Sequence, residues 1–451
     1  MAAAGWNTAA SAGFICAAVL GALFLGGLRF WKYSLIFAGA IFIGLWYCHA
    51  YLDWKTTHEK FPASSDSFTA VIADEPKISG NLSIFPAALQ HPFSGTITVF
   101  ASGTFRYGDL IETKGAIRPG QDFGEGPVVF PRTVMVFGAH RGFWLREWML
   151  DVKAAIAAKF GEFLSPDGAA LLGGMTFGGT NGMSKPLKDE MAASGTSYVA
   201  SMYGYKIFVI AWAVEQALKH YVMRRKRFMA ATACMLLFVA MAGASAMVLR
   251  AAIIAFLVLL SREIGRALSK RNALALVAAG MALFDPTIVV QVGFTLSFLS
   301  VAGLLYLEQP LRRFWGWEKK KSGILKWRES TLMAVAVLLA IIPAIVADSG
   351  KEFSLAIFLS NALIGIGMPF AIGFGYALAF AGFVSPYLGW MVAKLGSVVL
   401  WYDFMVIKIF SAFTVPLPFK FDSIAPFAVY YAAIGWFAYS FRDKEPAGGR
   451  A

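Results

Sequence analysis

Four polar side chains set in apolar runs are the residues of this chain best placed to do chemistry. Lys206 stands in Ser201-Met-Tyr-Gly-Tyr-Lys-Ile-Phe208, Arg250 lies between two apolar runs, and Gln291 and Asn361 sit in otherwise apolar stretches. Such groups are costly in hydrocarbon and turn toward a partner or a water-filled cavity. They point to a path for a polar or anionic solute. Snorkelling cations and helix–helix hydrogen bonds are the competing reading. A second candidate is the run from Gly173 to Glu190, rich in glycine and polar side chains and containing Asn181. Glycine lets backbone N–H groups approach phosphate. No Walker pattern is present, however, and a surface loop carrying helix caps explains the same residues. Catalytic groupings are not found. The histidines (His49, His58, His91, His140, His220) show no HxH or HExxH spacing, and the cysteines (Cys16, Cys48, Cys234) lie in apolar runs without a CxxC. No Ser/His/Asp or paired-carboxylate arrangement follows from spacing. No enzymatic activity, cofactor or metal is expected.

The scaffold for these residues follows from composition. The chain has 451 residues, 58% of them hydrophobic and 15% charged, with a mean hydropathy of +0.62. Soluble domains average about 45–50% apolar and roughly 25% charged. A single soluble domain and a disordered chain are both disfavoured, and a polytopic α-helical membrane protein is expected. Spanning stretches are read at Ser11–Leu28, Tyr33–Leu52, Ala192–Val214, Phe228–Leu249, Ala251–Ser261, Ala273–Phe284, Thr287–Leu307, Thr331–Ala347, Phe353–Ala393 and Ser423–Phe441. Arg29 and Lys32 between the first two place that turn in the cytoplasm and the segment after Leu52 outside. The later basic clusters, from Arg224-Arg-Lys-Arg227 to Lys326 and Arg328, are cytoplasmic on the same rule. Together they carry more positive charge than the chain's net +13. The high basicity is thus a topology signal and not a nucleic-acid footprint. Two spans are abnormal: Ala273–Phe284 is short, and Phe353–Ala393 holds Gly365, Gly367, Pro369, Gly373, Gly375 and Gly382. Interrupted spans mark transport pathways, with close packing through small residues as the alternative. Near the C-terminus, Asp403 and Lys408 leave the side of their segment open.

Residues 1–52 form two transmembrane helices on this reading. Residues 53–140 alternate in short runs (Phe68–Ile72, Ser94–Phe100, Leu110–Ile117, Thr133–Phe137) split by turn residues, the pattern of a small inserted all-β domain. An OB-like barrel on the extracytoplasmic side suits its length, and an SH3-like barrel or partial sandwich fits almost as well. Phe100, Phe105, Arg106 and Tyr107 are its candidate stacking platform for single strands. Barrel core and rim is the alternative reading. Acidic residues outnumber basic ones across this region. Residues 141–190 hold an amphipathic helix, Trp144–Leu164, suited to the bilayer interface or to a lid on the β domain, followed by the Gly-rich loop. Residues 191–441 form a multi-helix membrane domain, and 442–451 a tail.

Several passages resemble the ComEC family of competence proteins. Met247-Val-Leu-Arg-Ala-Ala-Ile-Ile254 is similar to the family's Arg-Ala helix, and it is followed by Ser261-Arg-Glu-Ile-Gly-Arg266 and Leu283-Phe-Asp-Pro286. Val292-Gly-Phe-Thr-Leu-Ser-Phe298 resembles its Gly-Phe-Gln-Leu-Ser-Phe signature, with Thr295 in place of Gln. Phe358-Leu-Ser-Asn-Ala-Leu363 with Pro369 resembles its Ala-Asn-…-Pro segment. Met191 to Lys206 aligns with its histidine-bearing Ser-Gly-Leu repeats, although both histidines are replaced, and Gly179-Thr-Asn181 stands where the family commonly has Gly-Asp-Arg. The resemblance covers nearly the whole chain. It implies a channel component in the bacterial inner (cytoplasmic) membrane that imports single-stranded DNA during natural transformation. It also implies a separate DNA receptor and a cytoplasmic ATP-driven motor as partners. The family's metallo-β-lactamase-like domain has no HxHxDH counterpart here, so nuclease activity is not carried over. Lys206, Arg250, Asn181, Gln291 and Asn361 are the expected pathway residues. A permease for another polar or anionic solute and a non-catalytic envelope scaffold are the rival readings.

Overall fold

The computed structural model describes residues 31–62, 67–79, 82–118, 127–131, 133–197, 203–243, 245–265, 269–317, 327–349, 353–354, 356–413, 416–417 and 424–441. The expected span Ser11–Leu28 and the tail 442–451 lie outside them. The first described helix, α1 (Trp31–His58), covers the expected span at Tyr33–Leu52 and continues to His58.

Eight strands follow: β1 (Ser67–Ile72), β2 (Lys77–Ser79), β3 (Leu82–Leu89), β4 (Thr96–Ser102), β5 (Leu110–Lys114), β6 (Ile117–Arg118), β7 (Val128–Val129) and β8 (Val134–Gly138). Their order is β6-β7-β4-β3-β1-β5-β8, with β2 added to β3. Alternation decides the buried face. Phe68, Ala70 and Ile72 of β1, Phe85 and Ala87 of β3, Ile97 and Val99 of β4 and Ile111 of β5 form one apolar core. The OB-like barrel expectation is corrected here: the path runs open from β6 to β8, and those end strands do not pair among the described residues. Closure requires the end strands to hydrogen-bond, and β6 and β7 contribute only two residues each.

Strand β3 lies outside the four alternating runs read from the sequence, and Pro86 stands within it. Proline cannot donate to a ladder, but the Pro86 carbonyl accepts from the Ala73 amide at 2.8 Å. In a strand a residue's N–H and C=O point the same way. The absent donor therefore faces the gap between β1, which pairs with residues 87–89, and β2, which pairs with 82–84.

The remaining helices are α2 (Trp144–Phe163), α3 (Pro166–Phe177), α4 (Lys185–Ala193), α5 (Tyr203–Ala217), α6 (Arg224–Ala242), α7 (Ala246–Ile264), α8 (Lys270–Phe284), α9 (Val292–Tyr306), α10 (Glu308–Phe314), α11 (Trp327–Ser349), α12 (Ala356–Val384), α13 (Pro386–Ala412) and α14 (Ile424–Ser440). Met149 and Phe160 of α2 are buried in a core shared with Leu172, Ile207, Met235, Phe374 and Leu400, so its apolar stripe packs on neighbouring helices. The expected span Ala192–Val214 is not one helix, since α4 ends at Ala193 and α5 begins at Tyr203. The turn expected after Leu249 falls earlier, at Gly243 with φ +86°, and Arg250 lies inside α7. The short stretch Ala273–Phe284 lies in helix α8, followed by a 3₁₀ turn, Pro286–Val290, that Asp285 caps by accepting from the Thr287 amide at 2.9 Å.

The expectation of a broken Phe353–Ala393 segment is corrected too. Helix α12 runs through all six Gly and Pro positions, and the break comes at Ser385 before Pro386. Three of the glycines serve close approach: a Cβ on Gly367 would meet Asp403, one on Gly375 Thr176 and one on Gly382 Phe163, whereas Gly365 and Gly373 face open space. Helix α13 buries Gly389, Ala393, Gly396, Leu400, Asp403, Val406 and Ile407 along one stripe. Its opposite face exposes Trp390, Leu395, Val398 and Trp401. Among the described residues two helices, Leu359–Val384 and Pro386–Ala412, are long and apolar enough to cross a membrane. A third candidate is the pair Gly293–Tyr306 and Glu308–Phe314, bent by 47°.

Candidate functional site

Lys206 has no solvent exposure. It lies one turn into α5, and its Nζ donates to the Gly174 carbonyl of α3 at 2.8 Å and lies 5.2 Å from the centre of the Tyr203 ring. Local sequence builds this pocket. Ser165 caps α3 by accepting from the Gly168 amide at 3.2 Å, with Pro166 at the first helical position. The helix ends at Gly178, whose φ of +97° suits glycine, and a Cβ there would strike the Tyr203 ring.

The Gly-rich loop behind it is a capping linker. Ser184 caps α4 by accepting from the Leu187 amide at 3.3 Å, while its own amide and hydroxyl donate to Asp167, each at 3.0 Å. Asn181 reaches across to the sheet, donating to the Pro76 carbonyl at 3.4 Å. There it joins a group that sequence reasoning missed. Arg146 of α2 pairs with Asp74 and donates to the Ala73 carbonyl at 2.9 Å, and Lys153 pairs with Glu75. The Asp74-Glu75-Pro76 loop between β1 and β2 is thus held by α2 on one side and by the Gly-rich linker on the other. Gly243, in the turn between α6 and α7, lies against the Asp74–Arg146 pair. The available signal was the polar stripe of an amphipathic helix, which usually means solvent.

Arg250 is nearly buried in α7, with its guanidinium 5.3 Å from the centre of the Phe298 ring of α9 and its Nη1 without a hydrogen-bond partner among the described residues. Helices α5 and α7 touch where Gly204 faces Ala251. The two cations nevertheless diverge, Lys206 toward α3 and Arg250 toward α9. Gln291 is half-buried at the start of α9, where its carbonyl accepts from the Phe294 and Thr295 amides. Asn361 donates to the Gly195 carbonyl at 3.0 Å, beside Ser360, whose hydroxyl donates to the Ser194 carbonyl at 2.7 Å. Asn361 therefore ties α12 to the end of α4, away from the cations. A second missed residue is Asp403. It is fully buried in α13, close against Gly367, and neither carboxylate oxygen has a partner among the described residues. Its signal was a lone acid in a long apolar helix, which read only as ambiguity of topology.

The β-domain candidates do not form one surface. Phe105 packs on the core side chain Phe85 with ring centres 4.9 Å apart, while Phe100 points to the other face and stacks on exposed Phe130 at 4.8 Å. Tyr107 is committed to α2: its hydroxyl accepts from the Phe143 amide at 3.2 Å and its ring lies 4.6 Å from the Arg146 guanidinium. Arg106 is exposed, and its amide donates to the Asp109 carboxylate at 2.7 Å. A groove of about 660 Å³ between α5 and α12 is lined by Phe208, Trp212, Pro369 and Tyr376 among others and is almost wholly apolar, so it does not suit a polyanion. No cluster of metal-ligating side chains occurs among the described residues.

The arrangement is therefore one of buried or half-buried cations within and beside apolar helices, next to an open sheet. No curated protein and no solved structure matches the chain. The family model described as "Competence protein" matches residues 175–444, from the end of α3 through α14. That match spans more than half of the sequence and includes Lys206, Arg250, Gln291, Asn361 and Asp403, and with it the chain is identified as a member of the competence protein family, membrane-associated proteins of DNA uptake.

Proposed function

We propose that this protein is a multi-pass component of the bacterial inner membrane that passes single-stranded DNA inward during natural transformation. The observation that carries the reading is the burial of Lys206 and Arg250 inside the family-matched helical region. Charged groups are retained in apolar helices where they meet a partner or line a path, and a strand with one phosphate per nucleotide requires positive groups along its way. The exposed apolar face of α13 supports a lipid environment, since Trp390, Leu395, Val398 and Trp401 would be poorly placed in water. The sheet acts as the extracytoplasmic module. Phe100 with Phe130 is its best stacking pair, and Arg106 its exposed cation. Asn181 lies at the junction of sheet and helices, and Gln291 and Asn361 hold the helices that carry the path. A separate receptor delivers the strand, and a cytoplasmic ATP-driven motor supplies the force. Complementing a deletion strain with Lys206→Ala or Arg250→Ala and following uptake of labelled DNA tests this: each variant abolishes uptake while accumulating in the membrane. Uptake at the native level in both overturns the pathway assignment, and normal transformation of the deletion strain itself overturns the function.

A further inference from the structure

We propose that the Asp74-Glu75 loop is a built-in phosphate mimic that occupies a phosphodiester-binding seat at the junction of sheet and helices, and that an incoming strand displaces it. The inference rests on the DNA reading above and deepens it by naming the entry contact and its resting occupant.

The seat is cationic and fixed. Arg146 and Lys153 have side chains only 17% and 16% exposed, whereas their partners Asp74 and Glu75 are 42% and 36% exposed. The cations belong to the scaffold and the carboxylates to its solvent side. Arg146 is held by stacking on Tyr107 and by its bond to the Ala73 carbonyl, and its Nε has no partner among the described residues. Two cations on one helix thus face one acidic loop.

The occupant is attached by few main-chain bonds. It joins β1 to β2, a three-residue strand that among the described residues pairs with β3 alone, so moving it sacrifices that short ladder and the bonds at the Ala73 amide and the Pro76 carbonyl. Single-charge carboxylates on the solvent side hold such cations only modestly. A phosphodiester strand offers Arg146 a planar, doubly hydrogen-bonded partner and repeats its charge at every nucleotide. The loop also touches the Asn181 linker and leans on the turn at Gly243, so its displacement is felt at the α3–α4 linker and at the α6–α7 turn.

The test uses the full chain in detergent micelles and a fluorescent oligothymidylate read by anisotropy. Asp74→Asn/Glu75→Gln tightens binding about tenfold at low salt, because the competing negative charge is gone. Arg146→Gln/Lys153→Gln weakens it below the native chain. A second measurement covers misfolding of the first variant: Pro76→Cys with the exposed neighbour Thr180→Cys, which leaves Arg146, Lys153 and Asn181 in place, ties the loop down when bridged by a reducible bis-thiol reagent, so DNA uptake stops and returns on reduction. Native-strength binding by Asp74→Asn/Glu75→Gln in a folded chain, or undiminished uptake with the loop cross-linked, overturns the plug and leaves the transport reading standing. If neither the native chain nor Asp74→Asn/Glu75→Gln binds the oligonucleotide, the seat itself is overturned. The transport reading then falls only if the deletion strain also transforms normally.

Discussion

The sheet and the helical region bury polar groups on opposite terms. In the sheet the interior is alternating and apolar, and its two buried hydroxyls are satisfied: Ser83 donates to the Gly103 carbonyl at 2.6 Å and Thr113 to the Thr133 carbonyl at 3.1 Å. In the helical region Lys206, Arg250 and Asp403 are buried, and Arg250 and Asp403 each keep polar atoms without partners among the described residues. An unsatisfied buried charge costs several times more than an unsatisfied hydroxyl. The sheet is thus built for stability, while the helices carry a standing cost. Local rules broken without local compensation mark the places where function has set the sequence.

That contrast can be broken at four points. Phe85→Ala removes a fully buried ring from the sheet core and destabilises that region by about 3–5 kcal/mol. Hydrogen exchange shows protection lost over β1, β3 and β4 and kept over α12 and α13; a loss shared equally by both regions erases the distinction. Lys206→Met lowers DNA uptake about 100-fold, close to the value of a charge-assisted contact, while the thermal midpoint stays level or rises because a buried cation has been replaced by an apolar chain. A fall in both together makes Lys206 a structural residue. Asp403→Asn raises the unfolding free energy by ~1–3 kcal/mol, since a neutral amide of the same shape replaces an unpartnered carboxylate. A destabilised variant in a thermal melt means that the carboxylate has a compensating partner. The smallest effect is at the α3 cap, where Ser165→Ala costs about 1 kcal/mol and loosens the Gly174 carbonyl that receives Lys206, read as a slight fall in melting temperature with most uptake retained.

Legibility followed the range of the interaction. The strand runs at Phe68, Leu110 and Val134, the amphipathic helix from Trp144 and the short helix ending at Phe284 were readable, because periodicity and capping are local. Strand β3 was not, since Pro86 is tolerated only thanks to a gap between β2 and β1. The continuity of α12 through its glycines was equally hidden, because Gly367, Gly375 and Gly382 answer to Asp403, Thr176 and Phe163 on other elements. The candidate site divides in the same way. Lys206 and Arg250 stood out as charges in apolar runs, whereas Arg146 and Lys153 looked like an ordinary solvated stripe until the fold brought Asp74 and Glu75 against them.

By itself the sequence determined that the chain is dominated by apolar helices with an inserted β region, that it resembles the competence proteins, and which polar residues stand inside apolar runs. These are matters of composition, periodicity and residue order. Only the tertiary structure decided that the end strands of the sheet do not pair among the described residues, that Lys206 and Arg250 turn to different helices, that Phe100 and Phe105 face opposite sides, and that an acidic loop sits on a cationic seat. The physical reason is that charge pairing, ring stacking and sheet closure depend on which distant segments meet, and no local pattern in the chain encodes the distance between Asp74 and Arg146.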